Sequence, residues 1–165
     1  MRRIVSNTGP LLHLSEIGAL GLLELAGPVS IPPAVAAELS RLMPGWSSAR
    51  PSWISITTPE AASISQFDGW LGGGIIHVGE AHALALARQM NADWFLTDDT
   101  AARLLSRTLG LEAHGSLGVV LWAAAAGHLD ETRTYALLDL LAASSLWISR
   151  RVLLDARAVI AKIFS

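Results

Sequence analysis

The sequence contains no cysteine, and Lys162 is the only lysine among its twelve lysine and arginine residues. Without cysteine the chain has neither a disulfide framework nor a thiolate metal site. This absence agrees with a reducing compartment. A single lysine near the end of the sequence also excludes mechanisms that need a central lysine, and no Gly-x-x-x-x-Gly-Lys phosphate loop is present.

Long apolar runs are missing as well, although hydrophobic residues make up 52% of the sequence. The longest run extends from Leu117 to Gly127 and stops at His128. A membrane-spanning helix needs roughly 20 apolar residues, so this run predicts a buried helix. Arg2 and Arg3 are not followed by the apolar run and cleavage site of a signal peptide. The sequence therefore predicts a soluble cytoplasmic protein.

Charged residues are scarce at 16%, and the net charge is −2. Proteins that bind nucleic acid through its phosphates are usually basic, so any such binding here needs a local patch. Arg88, Arg103 and Arg107 are candidates for that patch, and they are equally compatible with solvated helix faces. The length of 165 residues predicts one domain over residues 1–165.

Short apolar segments alternate with helical patterns along the chain. The predicted strands are residues 3–6, 29–31, 53–56, 94–96 and 111–113. The predicted helices include residues 10–20, 20–25, 33–42, 78–90, 100–109, 116–126, 131–143 and 149–164. This alternation predicts an α/β fold with a parallel sheet covered on both faces. In such sheets, ligands bind at the carboxyl ends of the strands.

Polar residues follow two of these strands and begin or occupy two helices. Asn7 ends the first strand, and Asp98 and Asp99 end the strand at residues 94–96. Glu38 lies on the helix after the second strand, and Glu80 opens the helix at residue 78. Carboxylates gathered in one pocket repel each other unless a cation lies between them. Oxygen ligands without sulfur suit Mg²⁺ or Mn²⁺, which support phosphodiester hydrolysis.

Each of these residues also has a purely structural interpretation. Asn7 is compatible with an Asx turn, and either Asp98 or Asp99 with a helix cap. Glu80 is favoured in a first helical turn by the helix dipole, and Glu38 is compatible with a solvated helix face.

Four further polar residues have weaker claims to the site. Thr8 and Ser116 are possible hydroxyl partners of the pocket, but helix capping is the favoured interpretation for both. His82 and His114 are interpreted as packed or surface residues and are not assigned to the site.

Four segments together resemble the PIN-domain family, in particular VapC-like toxin ribonucleases of toxin–antitoxin systems. They are Ile4–Leu12 (IVSNTGPLL), Ile31–Leu39 (IPPAVAAEL), Gly79–Ala87 (GEAHALALA) and Ala92–Asp99 (ADWFLTDD). The segments occur in the order of the family's blocks, and the opening Ser-Asn-Thr is similar to one PIN subgroup.

The resemblance implies a three-layer α/β/α sandwich with a parallel sheet of four or five strands. It implies a ribonuclease that uses Mg²⁺ or Mn²⁺, an RNA substrate, a small antitoxin protein as partner, and a homodimer. By position it assigns Asn7, Glu38, Glu80 and Asp98 to catalysis and to the metal, with Asp99 as an accessory ligand. Asn7 stands where the family usually has aspartate. Its amide oxygen can ligate Mg²⁺ but carries no charge and cannot act as a base.

A catalytically weak or inactive PIN-like module that binds RNA or a protein partner is the alternative. Asn7 and the net acidity favour this alternative, whereas the acids at Glu38, Glu80 and Asp98 favour the enzyme.

Association with other proteins is a separate expectation. Six tryptophans exceed what a core of this size needs. Trp46, Trp53 and Trp70 are therefore predicted to mark an exposed interface, either for a homodimer or for an antitoxin helix.

Overall fold

The computed structural model describes residues 1–165 and contains one five-stranded, all-parallel sheet in the order β3-β2-β1-β4-β5. The strands are β1 (Ile4–Ser6), β2 (Val29–Ile31), β3 (Ile54–Ile56), β4 (Trp94–Leu96) and β5 (Ala113–His114). Helices flank the sheet, so the predicted α/β/α sandwich with four or five parallel strands is confirmed.

Burial explains why these short segments form strands. Every residue of β1, β2 and β4 is buried, which is typical of parallel strands that are covered by helices on both faces. Val5 at the centre of the sheet pairs with Ser30 on one side and Phe95 on the other. β3 lies at one edge, and only Ile54 of its three residues is buried.

Eleven helices complete the fold. They are α1 (Thr8–Glu16), α2 (Leu22–Ala26), α3 (Pro33–Leu42), α4 (Trp46–Ala49), α5 (Ala61–Ser65), α6 (Asp68–Gly72), α7 (Val78–Gln89), α8 (Thr100–Thr108), α9 (Ser116–Ala125), α10 (Glu131–Ala142) and α11 (Arg150–Ile163). None of them has the length and hydrophobicity that a membrane span requires.

The structure differs from the sequence predictions in three main places. The first helix spans Thr8–Glu16 instead of residues 10–20. Three short helices, α4 to α6, lie in the segment from residue 46 to residue 74, where the sequence pattern indicated only a strand. The last strand begins at Ala113 instead of Leu111, because its register is fixed by pairing of Phe95 with Ala113 and of Leu96 with His114.

The prediction that Trp46, Trp53 and Trp70 mark an exposed interface is wrong for Trp46. Trp46 is buried, and Trp53 and Trp70 are half-buried against the main core. They complete the packing of the segment whose helices the sequence pattern did not reveal. The exposed tryptophan is Trp147, which lies between α10 and α11.

The order of the strands fixes the position of the site. β1 lies between β2 and β4. The chain continues from β1 to β2 on one side of the sheet, and from β4 to β5 on the other side. The backbone N–H of Asn7 donates to the carbonyl of Leu96 at 2.8 Å, which places the ends of β1 and β4 side by side. This is the switch in strand order at which ligands bind in open parallel sheets.

Candidate functional site

An open cavity of about 480 Å³ lies at the carboxyl ends of β1 and β4. All five residues predicted from the sequence line it, namely Asn7, Glu38, Glu80, Asp98 and Asp99. Leu146 and Trp147 are its only apolar lining residues. The cavity is therefore polar, and most of its charged groups are acidic.

Asn7 lines the cavity and also has a structural role at the start of α1. It is the N-cap of α1, where its Oδ1 accepts from the backbone N–H of Thr8 at 2.9 Å. Its amide nitrogen points to the hydroxyl of Thr97 at 3.5 Å. The prediction that Thr8 is the cap is wrong, because the extended backbone is at Asn7 and the helix therefore begins one residue earlier, at Thr8.

The Thr8 side chain is free to contact Glu38 because Asn7 provides the cap. Its hydroxyl donates to Glu38 Oε2 at 2.5 Å, which joins α1 to α3. On the opposite side, a Cβ on Gly79 would lie 2.6 Å from Glu38 Oε1. Glu38 therefore occupies its position only because residue 79 has no side chain.

Glu80 lies in the first turn of α7, and its Oε2 accepts from the backbone N–H of His77 at 2.6 Å. Burial raises the pKa of the Glu80 carboxyl, and the negative charges of Asp99 and Glu38 raise this pKa further. The backbone hydrogen bond and the charge of His77 oppose the shift but do not cancel it. Three carboxylates are thus close enough for their charges to interact.

Asp98 is held by hydrogen bonds at both of its oxygens. Oδ1 accepts from the backbone N–H of Ser116 at 2.7 Å, and Oδ2 accepts from the Ser116 hydroxyl at 2.6 Å. Nδ1 of His13 lies 2.7 Å from the same Oδ2. The predicted cap at Ser116 is in fact Gly115, and Ser116 instead anchors Asp98. The Asp98 side chain is only 9% exposed.

Asp99 has a structural role that uses one of its two carboxylate oxygens. It is the N-cap of α8, where Oδ1 accepts from the backbone N–H of Ala102 at 2.7 Å. Its own backbone N–H donates to the hydroxyl of Thr97 at 3.1 Å. The second carboxylate oxygen, Oδ2, has no hydrogen bond within the protein.

The donor set suits a hard divalent cation, but its members do not converge on one point. No three histidine, aspartate or glutamate side chains are arranged to hold a metal ion. Glu38, Glu80 and Asp99 each use one oxygen for a hydrogen bond within the protein and keep the other oxygen free. Free carboxylate oxygens at one cavity, without sulfur, are the ligands that Mg²⁺ and Mn²⁺ prefer. The residues therefore fit such an ion chemically.

Several lining residues were not found from the sequence: His13, Arg41, His77, Ser145, Leu146 and Trp147. A Cβ on Gly9 would lie 3.4 Å from Asp98, so this face of α1 meets the cavity. His13 follows Gly9 by one turn and lies on the same face, so helical spacing could have revealed it. Nothing local could have revealed Ser145 to Trp147, which reach the cavity from a loop far along the chain.

The three candidate arginines are divided between two places. Arg103 and Arg107 line a second cavity next to the acidic one. Arg88 lies in the last turn of α7 and donates to Gln66 Oε1 at 2.5 Å, so it does not reach the site. His82 does not line either cavity, whereas His114 packs on Trp94 with ring centroids 4.5 Å apart and lines the second cavity.

A family model described as a PIN domain matches residues 3–161. The match covers nearly the whole chain, so the protein belongs to the PIN-domain family, whose fold is a nuclease fold. A search of curated proteins found no matching relative.

Proposed function

We propose that this protein is a divalent-metal-dependent ribonuclease whose acidic cavity hydrolyses phosphodiester bonds of RNA. The observation that carries the proposal is the set of Glu38, Glu80 and Asp99, which present free carboxylate oxygens at one open cavity. The raised pKa of the Glu80 carboxyl reflects burial first, and then repulsion from Asp99 and Glu38 that a bound cation would relieve.

Each residue has a distinct part in this proposal. Glu38, Glu80 and Asp99 hold Mg²⁺ or Mn²⁺, and Asn7 offers a neutral oxygen beside them. When bound, the ion polarises a phosphoryl oxygen and lowers the pKa of a water molecule. Asp98 was predicted to be a charged ligand, but its oxygens already accept three hydrogen bonds, so we assign it to positioning the end of β4.

Neighbouring groups orient the ligands and the substrate. The Thr8 hydroxyl fixes the Glu38 carboxylate, and the His77 backbone N–H fixes that of Glu80. Arg41 is exposed at the cavity, forms no ion pair, and can bind a phosphate oxygen of the RNA. This arrangement brings an anionic substrate to an otherwise acidic cavity.

The cleavage experiment compares wild type with Glu38→Gln, Glu80→Gln and Asp99→Asn on single-stranded RNA. Wild type should cleave with Mg²⁺ or Mn²⁺ and be inactive in EDTA. Each variant removes one charged ligand and should lose activity by about 100-fold or more. The reason is that a bound metal ion stabilises the charge of the transition state by several kcal/mol. Glu24→Gln removes the same charge on α2 and should cleave like wild type.

A non-catalytic PIN-like module that binds RNA or a protein is the second candidate. It is favoured by the neutral Asn7 and by the lack of three acids arranged around one point. If wild type binds RNA but does not cleave it with either ion, this candidate replaces the nuclease.

The biological role that we propose is the toxin of a toxin–antitoxin pair, on the strength of the resemblance of the four segments. A homodimer and a small antitoxin partner belong to the same proposal. Leu140 on α10 and Leu154 and Val159 on α11 are exposed, and such apolar side chains are available for protein contacts.

Induced expression should arrest growth, and the product of an adjacent small gene should restore it. A strict monomer in light scattering at high concentration would count against the dimer.

A further inference from the structure

A second cavity of about 430 Å³ adjoins the acidic cavity. Asp98, Leu146 and Trp147 line both cavities, so the two are immediate neighbours on the surface. A ligand that reaches the carboxylates can therefore extend into the second cavity past Trp147.

Trp147 differs from the other tryptophans in its exposure. It is 84% exposed, whereas the remaining five are buried or half-buried. A tryptophan side chain contributes most to stability when it is buried, so an exposed one beside two cavities adds little to the fold. A large flat ring in this position is instead available for a ligand.

The loop that carries Trp147 is anchored on both sides of the ring. The backbone N–H of Ser145 donates to Glu16 Oε2 at 2.8 Å, and the Ser145 hydroxyl donates to Glu16 Oε1. Leu146 packs against the main core, and Ser149 caps α11 through the N–H of Val152 at 3.2 Å. These contacts hold the loop backbone in place on both sides of Trp147.

The second cavity combines positive charge with an apolar surface. Arg103 and Arg107 line one part of it, and neither forms an ion pair. The apolar lining includes Leu117, Leu121 and Ile148. A nucleotide has the matching composition, because its phosphate binds guanidinium groups and its base packs on apolar or aromatic surfaces.

We propose that Trp147 stacks on an unpaired base of a single-stranded RNA, and that the second cavity holds the adjoining nucleotide. This inference rests on the proposed function, since it places the scissile phosphate in the acidic cavity. Trp147 needs the open face of a base, and a duplex does not offer one because its bases are stacked on each other. The enzyme would therefore select unpaired regions of RNA.

The test measures binding in EDTA, where cleavage does not interfere. Fluorescence anisotropy with a short labelled RNA compares wild type, Trp147→Ala and Trp147→Phe. Loss of one stacked base weakens binding by about tenfold or more, so Trp147→Ala should show that loss and Trp147→Phe should restore most of the affinity. Leu25→Ala, which removes another exposed apolar side chain, should bind like wild type.

Two further measurements identify the ligand groups. Arg107→Ala should weaken binding and reduce the slope of log affinity against log salt by about one, as expected for one lost phosphate contact. A duplex of the same sequence should bind more weakly than the single strand, and Trp147→Ala should remove that preference.

The proposal is overturned if Trp147→Ala binds single-stranded RNA with wild-type affinity. If this unchanged binding is accompanied by conversion of a dimer to a monomer in light scattering, the loop is instead a protein interface. The nuclease proposal is tested separately by cleavage with Mn²⁺. Binding that depends on Trp147 without any cleavage supports the stacking site and removes the nuclease, whereas metal-dependent cleavage with unchanged binding does the reverse.

Discussion

His13 Nδ1 and Asp98 Oδ2 lie 2.7 Å apart and join the first helix to the end of the fourth strand. Ser116, at the start of α9, donates twice to the same carboxylate. Asp98 therefore connects three parts of the chain that are distant in sequence. We therefore propose that Asp98 anchors the residues around the cavity, so that its removal should affect stability as well as activity.

Replacing Asp98 with alanine should destabilise the protein as well as the site. The change leaves the buried N–H and hydroxyl of Ser116 without an acceptor, and lost hydrogen bonds to a charged group predict a cost of about 2–4 kcal/mol. Urea unfolding followed by circular dichroism measures this cost. Asp98→Asn keeps an acceptor and should lose less. An unchanged midpoint and slope for Asp98→Ala would show that the anchor has no energetic role.

Glu80→Gln should stabilise the protein near neutral pH in EDTA. Burial, with the charges of Asp99 and Glu38, raises the pKa of the Glu80 carboxyl above its ordinary value of 4.5 in the folded protein. An acid with a raised pKa favours the folded state below pH 4.5, and this contribution is lost as the pH rises through the folded pKa. Thermal unfolding should therefore show a gain for Glu80→Gln at pH 7 that disappears at low pH. A loss at pH 7 would contradict this assignment.

Glu16→Gln should behave in the opposite way. Burial acts to raise the pKa of the Glu16 carboxyl, but two hydrogen bonds from Ser145 and the charge of His13 outweigh it and lower that pKa. The resulting stability is present above the ordinary value of 4.5 and is lost as the pH falls through the folded pKa. Glu16→Gln should lower the melting temperature at pH 7 and have little effect in strong acid. An equal deficit at both pH values would refute the electrostatic explanation.

Gly79→Ala should damage the site without damaging the fold. Its Cβ would lie 2.6 Å from Glu38 Oε1, and the flexible carboxylate can move away, whereas the helix gains up to about 0.5–1 kcal/mol from alanine. Gly69→Ala is the matched control, since Gly69 is also the second residue of its helix and has open space around it. Mn²⁺ should raise the melting temperature of Gly69→Ala as it does for wild type, and that of Gly79→Ala much less. Equal responses would exclude Glu38 from the metal site.

The sheet could be predicted from the sequence because its strands are short, apolar and separated by helical patterns. The juxtaposition of Asn7 with Asp98 followed from the same pattern, since the carboxyl ends of neighbouring parallel strands meet at one edge. The difference in hydrogen bonding between Asp98 and Asp99 could not be predicted. It depends on which oxygens accept hydrogen bonds from Ser116 and His13, and those residues approach only in the folded chain.

Trp147 illustrates the other limit of the sequence. Composition drew attention to the tryptophans near residues 46 to 70, where the pattern was weak, but packing buries or half-buries them. The exposed ring comes from a loop held by Glu16, 129 residues away from Ser145 in sequence. No local pattern carries such a contact.

Asn7→Asp should lower the stability of the protein and raise its affinity for the metal ion. Oδ1 can still cap α1, and the Thr97 hydroxyl can donate to the new carboxylate in place of the lost amide contact. The added negative charge lies in a position that is only 6% exposed, so the variant should melt at a lower temperature than wild type in EDTA. With Mn²⁺ the variant should gain more than wild type, and RNA cleavage should accelerate. A smaller gain than that of wild type would place the cation away from Asn7.

Isothermal titration with Mn²⁺ is the most direct measurement of whether Glu38, Glu80 and Asp99 form a cation site. We expect wild type to bind Mn²⁺ at one saturable site, and Glu38→Gln, Glu80→Gln and Asp99→Asn each to weaken that binding by about tenfold or more, because each removes a charged oxygen ligand. Glu24→Gln, which removes a distant carboxylate, should bind like wild type. Wild type that takes up no Mn²⁺, or cavity variants that bind as tightly as Glu24→Gln, would contradict a metal-dependent nuclease at this cavity.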